Sequence, residues 1–140
     1  MSQSVGKVSQ IMGPVVDVTF DTSSNDLPKI YDSLEIKKED GSILVLEVQS
    51  HVGEDIVRTI SMDSTDGWKR GANVVATGNP IQMPSGDVGY GRLFNVIGDS
   101  IEGRGDLPKT GKDGVSIHRE DPVFDQLSPS PEVSCPSITV

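Results

Sequence analysis

The stretch LVLEVQSHVGEDIVRTISMDSTDGWKRG, Leu44 to Gly71, decides the fold. With Ile43 before it, it opens on the apolar run ILVLEVQS, which reads as a strand buried on both faces. HVGED is a turn and DIVRTIS a second strand. An acidic turn follows, DSTDG from Asp63 to Gly67, and then Trp68, two cations and Gly71. No part of this stretch sustains a 3.6-residue apolar period, so it predicts strand, turn, strand, turn.

The same texture extends on both sides. GKVSQIM alternates loosely, and Gly13-Pro14 punctuates the chain before VVDVTF. There Val16, Val18 and Phe20 share one face, and Val15, Asp17 and Thr19 the other. DTSSNDLP is a polar loop. IYDSLEIK places Ile30, Asp32, Leu34 and Ile36 on one side, with Asp32 breaking the apolar face. KEDGS carries the hairpin signal Asp40-Gly41. After the acidic turn comes NVVATG. Six short strands with frequent turn signals predict a mainly β fold, a sandwich or a barrel. Closure removes unpaired edges from so short a chain, which favours a six-stranded barrel over residues 1–80.

Beyond Gly78 the chain turns dense in Gly and Pro, GNPIQMPSGDVGYG, as at a domain boundary. RLFNVIG reads as one strand and VSIHRE as another, separated by a long polar loop. DPVFDQLSPSPEV is broken by prolines. Two strands and no helix cannot enclose a core, so residues 81–133 read as the incomplete opening of a second domain. Order is expected to fall from Gly103 onward, leaving Ile97, Ile101, Val115, Ile117 and Phe124 poorly buried.

Composition excludes several functions. The 140 residues carry 12 Lys and Arg against 21 Asp and Glu, a net charge of −9. The excess is spread over both halves, with 7 cations and 12 acids in residues 1–80 and 5 and 9 in 81–140. Such a surface repels phosphate backbones and anionic lipid, so no nucleic-acid partner is expected. Apolar runs fall far short of the roughly 20 residues that span a bilayer, so no membrane insertion is expected. A lone Cys, Cys135, allows no internal disulfide, which suits a reducing compartment. The N-terminal MSQSVGKVSQ lacks an apolar signal core and the Arg-rich character of a transit peptide.

The acidic turn fails as a calcium loop. Counted from Asp63, the fifth position is Gly67 and the twelfth is Val74, which cannot ligate. Asp63 and Ser64 are better read as caps on backbone amides, Asp66-Gly67 as the turn, and Lys69 and Arg70 as counter-charges. His51 and His118 are isolated, and no paired His or Cys spacing supports zinc. Cys135 lies among Pro and Ser with no activating base beside it in sequence. Gly89-Tyr90-Gly91 is followed by bulky residues rather than a helix, so it fails as a dinucleotide fingerprint. No G-x-x-x-x-G-K-[ST] or G-x-S-x-G occurs. The expected catalytic, nucleotide-binding and metal residues are therefore none.

Read as strings, the residues are more specific. QIMGPVVDVTF, LPKIYDSLEI, the Leu44–Gly71 stretch, GRLFNVIGDSIEGRG and SIHREDPVFDQLSPSPEV follow in order. From Gly6 to Val133 they closely resemble the N-terminal part of the beta-subunit family of F-type ATP synthases. VRTISMDSTDGWKRG and GRLFNVIGD resemble beta rather than the related alpha subunit. The resemblance implies a six-stranded barrel that joins alpha and beta neighbours in a crown, with the acidic turn as one of its hairpins. It implies that residues from about 81 begin an α/β nucleotide-binding domain. In the family that domain binds ATP or ADP with Mg²⁺ on a P-loop, with a catalytic Glu and an Arg from alpha. The parent activity is proton-coupled ATP synthesis or hydrolysis in the F1 sector, peripheral to the cytoplasmic side of the cell membrane.

The resemblance stops at Ser134. The family continues with a linker, an apolar helix and the P-loop, whereas residues 134–140 read SCPSITV. The expectation is a chain cut short, by a frameshift near the Ser134 codon or by an incomplete reading of the gene. No cofactor is then expected in this chain, and no catalytic residue carries over. The barrel remains as an assembly module for alpha subunits, inactive alone. Two other readings stand beside it. One is a free-standing OB-like barrel that binds oligonucleotides or sugars. The other is a dominant-negative assembler that occupies a beta position.

Overall fold

The computed structural model describes residues 4–21, 27–38, 41–105, 107, 114–130 and 137–138. The chain forms two compact units, Met1–Ile81 and Gln82–Val140.

The first unit is mainly β and is a closed barrel. Its strands are β1 (Val5–Met12), β2 (Val15–Phe20), β3 (Asp32–Lys37), β4 (Ile43–His51), β5 (Ile56–Ser61) and β6 (Asn73–Pro80). Their order around the barrel is β1-β2-β5-β4-β3-β6, and β6 closes on β1 through Val5↔Val75, Gly6↔Val74 and Lys7↔Asn73. All pairings within it are antiparallel. The interior is filled by alternate residues of every strand. Val8, Val16, Val18, Phe20, Leu34, Ile36, Leu44, Leu46, Val48, Val57 and Val74 are buried. Burying each such side chain contributes roughly 1.5–3 kcal/mol.

The loose alternation of β1 has a structural cause. Its register with β2 shifts between Val8 and Gln10, so Ser9 is an extra residue and its Oγ donates to the Asp17 carbonyl at 3.0 Å. Beyond this bulge Ile11, opposite Val16, turns toward the core where Gln10 would have been expected. A larger irregularity joins β3 to β6. Asp32 pairs with Pro80 and Leu34 with Ala76, so Ser33 faces three residues, Thr77 to Asn79. Gly78 takes φ +75° there, and the hydroxyls of Ser33 and Thr77, 2.6 Å apart, bond across the gap. The Asn79 carbonyl, 2.8 Å from Ser33 Oγ and 3.0 Å from Thr77 Oγ1, accepts from whichever of the two hydroxyls does not donate across the gap.

Two expectations within the barrel are corrected. Ile30 does not share the face of Leu34 and Ile36. It sits half-exposed in a turn ahead of β3, where the Asp32 carboxylate accepts from the Lys29 amide at 2.9 Å. Asp32 thus closes a turn and does not interrupt an apolar face. Tyr31, the third residue of that turn, takes φ +74°. Nor is β4 buried on both faces. Ile43 is exposed and Val45 half-buried, while Leu44, Leu46 and Val48 point inward. A barrel has one interior, so the apolar side chains of its strands are buried chiefly on one face.

The second unit holds β7 (Gln82–Pro84), β8 (Leu93–Phe94), β9 (Gly114–Ser116) and β10 (Ser137–Ile138). β7 pairs antiparallel with β9, and β8 parallel with β10. Single 3₁₀ turns span Gly86–Gly89 and Phe124–Gln126. Four short strands thus replace the two expected. RLFNVIG is strand only at Leu93–Phe94, because the Asn95 side chain accepts from the amides of Ile97 and Asp99 and bends the chain. VSIHRE is strand only to Ser116, whose Oγ accepts from the His118 amide. Phe94 and Leu107 are the buried large apolar side chains of this unit among the described residues. Ile101, Ile117 and Phe124 are exposed, while Ile97 and Val115 are half-buried.

Candidate assembly surface

The barrel's register arranges its outward residues in rows. Met12, Val15 and Ile60 lie opposite one another on β1, β2 and β5, and the row ends at Glu47 on β4, which is itself buried and accepts from Gln49 Nε2 at 2.8 Å. Val5, Val75, Glu35 and Val45 form a second row on β1, β6, β3 and β4. In the closed strand order one row centres on β2 and β5 and the other on β3 and β6, so they occupy opposite sides of the barrel. Val5, Met12 and Ile60 are exposed apolar residues.

An ion pair borders the first row. Asp17 and Arg58 are register partners on β2 and β5. Arg58 donates from Nε to Oδ1 at 2.9 Å and from Nη2 to Oδ2 at 3.0 Å, a bidentate grip. The Asp17 side chain is only 9% exposed, against 41% for Arg58. The hydrogen bonds from Arg58 hold the Asp17 carboxyl below the usual carboxylate range against the opposing cost of burial. The guanidinium is raised in turn by the same bonds. Arg58 is therefore engaged by a neighbouring acid.

The acidic turn between β5 and β6 is held by its own side chains. Asp63 Oδ1 accepts from the Ser64 amide at 2.6 Å, and Ser64 Oγ from the Asp66 amide at 3.2 Å. Ser61 Oγ donates to the Asp63 carbonyl. Thr65 Oγ1 donates to the Gly13 carbonyl at 2.8 Å, tying this turn to the β1–β2 turn. Gly67 takes φ +76°. Trp68 packs partly buried against the core, and Lys38 Nζ lies over its ring, 4.3 Å from the centroid. The cation over the turn's aromatic ring is thus Lys38, from another hairpin.

The two histidines belong to different units. The His51 Nε2 nitrogen lies 2.7 Å from the Pro28 carbonyl and fastens the segment that leads into β3. No three or more His, Cys, Asp or Glu side chains among the described residues are grouped to hold a metal ion. Cys135 lies outside the described residues. No helix among the described residues is long and apolar enough to cross a membrane.

In the second unit Arg92 clasps the loop that follows β8. Its Nε donates to Glu102, and its Nη2 to Ser100 Oγ at 3.3 Å and to the Gly105 carbonyl at 2.7 Å. The hydrogen bond from Arg92 lowers the Glu102 carboxyl below its ordinary range. Sequence reasoning found neither this clasp nor the Asp17–Arg58 pair. β2 and β5 are not consecutive strands, so nothing in the linear order marks their partnership.

The span that forms the closed barrel is matched by a known family. Residues 8–78, from within β1 to within β6, fit the family described as ATP synthase alpha/beta family, beta-barrel domain, and the chain belongs to that family.

Proposed function

We propose that the chain is a beta-type member of this family, with the barrel serving as an assembly module beside alpha-type barrels in the F1 sector of a proton-translocating ATP synthase. Family membership implies assembly in an alpha/beta hexamer and peripheral association with a membrane. The beta assignment is supported by the beta-like strings VRTISMDSTDGWKRG and GRLFNVIGD, and the cytoplasmic side of the cell membrane is part of the same proposal. The observation that carries the module reading is the pair of outward rows on opposite sides of the barrel. A subunit with two neighbours needs two contact faces, and non-equivalent faces suit a heterologous ring.

These 140 residues contain no phosphate-cradling G-x-x-x-x-G-K-[ST] segment. Phosphoryl transfer rests on positioning and charge stabilisation at the phosphates. The chain alone is therefore expected to release no phosphate from Mg-ATP above a heat-treated control, while co-purifying with an alpha-type subunit. Turnover above that control, or no association at micromolar concentration, would refute this reading.

A further inference from the structure

Tyr31 is the one non-glycine residue at positive φ among the described residues, at +74°. A bulky side chain disfavours this conformation, which asparagine or glycine adopts at less cost. The turn that imposes it is fixed at several points. The Asp32 amide donates to the Lys29 carbonyl at 3.1 Å, and the Tyr31 amide to the Val48 carbonyl of β4 at 2.9 Å. The Asp32 carboxylate accepts from the Lys29 amide, and His51 holds the Pro28 carbonyl. Tyr31 gains little burial in return. It is 46% exposed, beside Ile30 at 50%. Val52, next to His51 in the β4–β5 turn, is exposed as well. Apolar side chains thus stand on two turns that His51 ties together. A strained conformation that the fold maintains without burying the side chain points to function.

The turn adjoins the first outward row. Val48, which receives the Tyr31 amide, follows Glu47, the register partner of Ile60, and precedes by two residues Ser50, the partner of Arg58. Because β3 lies next to β4 in the closed order, the turn continues that wall around the barrel. We infer that Tyr31, with Ile30 beside it, is an anchor that seats in an apolar pocket of the alpha-type neighbour. Tyrosine is among the residues that most often dominate binding at interfaces. The fixed turn holds the backbone beneath the ring before the partner arrives, so little ordering remains to oppose binding. The inference rests on the assembly reading above and adds a specific anchor to it.

The test uses the full chain carrying Tyr31→Asn, which tolerates the positive φ but removes the ring, and Tyr31→Phe, which keeps the ring. Each is titrated against a purified alpha-type subunit beside wild type and Ile60→Lys, and each is unfolded in urea. Tyr31→Asn should bind at least about tenfold more weakly while its urea midpoint stays equal to or above that of wild type. Tyr31→Phe should keep wild-type affinity. Wild-type affinity in Tyr31→Asn, with Ile60→Lys weakened, would overturn this inference and leave the assembly reading standing. A lowered midpoint in Tyr31→Asn would also overturn it, since the residue would then hold the fold. No binding by the wild-type chain would overturn the inference together with the reading beneath it.

Discussion

Arg58 grips Asp17 through two hydrogen bonds of 2.9 and 3.0 Å across the β2–β5 seam, on the outside of the barrel. The carboxylate is nearly enclosed while the guanidinium stays partly in water. Because the folded state depresses the Asp17 pKa, the unfolded chain binds the proton more readily. The pair's contribution is therefore fully present above the unfolded carboxylate value of about 3.9 and is lost as pH falls through the lower folded value. Urea midpoints of wild type and Arg58→Gln should differ by a constant amount from pH 7 to about pH 5 and converge below about pH 4. A gap that persists undiminished at pH 2.5 would show that the pair is not what separates them.

Two barrel glycines are required for opposite reasons. A Cβ on Gly6 would lie 2.8 Å from Val18 Cγ1, 2.9 Å from the Thr19 carbonyl and 3.0 Å from the Phe20 ring. A Cβ on Gly78 would meet nothing within 4 Å, but the residue stands at φ +75°. Gly6→Ala should cost about 1–3 kcal/mol by overpacking the β1–β2 contact. Gly78→Ala should cost about 1–2 kcal/mol through backbone strain alone. Urea unfolding followed by Trp68 fluorescence measures both. A neutral Gly6→Ala would mean that β1 and β2 are further apart than described.

Leu46 and Phe124 make the contrast between the units measurable. Leu46 is fully buried in the barrel, and Phe124 is 85% exposed. Leu46→Ala should destabilise the barrel by about 2–5 kcal/mol. Phe124→Ala should change it by no more than about 0.5 kcal/mol. Thermal unfolding monitored by circular dichroism reports both, and a Phe124→Ala loss comparable to that of Leu46→Ala would contradict the burial seen here.

The barrel was largely legible in the sequence, because its information is local. Val16, Val18 and Phe20 alternate with Val15, Asp17 and Thr19, and the six runs between turn signals became the six strands. What was not legible depends on pairing. The apolar run Ile43–Leu46 resembles a doubly buried strand until barrel closure places Ile43 and Val45 outside. Ile30 reads in phase with Leu34 until the Asp32 carboxylate closes a turn behind it. The Asp17–Arg58 pair and the Lys38–Trp68 contact join segments 41 and 30 positions apart, and alternation carries no signal for either. In the second unit the stop after Phe94 was missed because Asn95 ends the strand through its side chain, while VIG continues the apolar pattern.

Ile60 offers the most direct test of the barrel as an assembly module. It is exposed and stands in the outward row with Val15 and Glu47 as its register partners, so Ile60→Lys removes apolar contact from this wall without touching the core. The measurement is a binding titration of the chain against a purified alpha-type subunit, with Ile60→Lys and Phe124→Ala in parallel. Micromolar or tighter binding is expected for wild type and Phe124→Ala, and at least about tenfold weaker binding for Ile60→Lys, equivalent to about 1.4 kcal/mol. No binding by the wild-type chain, or equal binding by Ile60→Lys, would contradict the assignment of this wall to assembly.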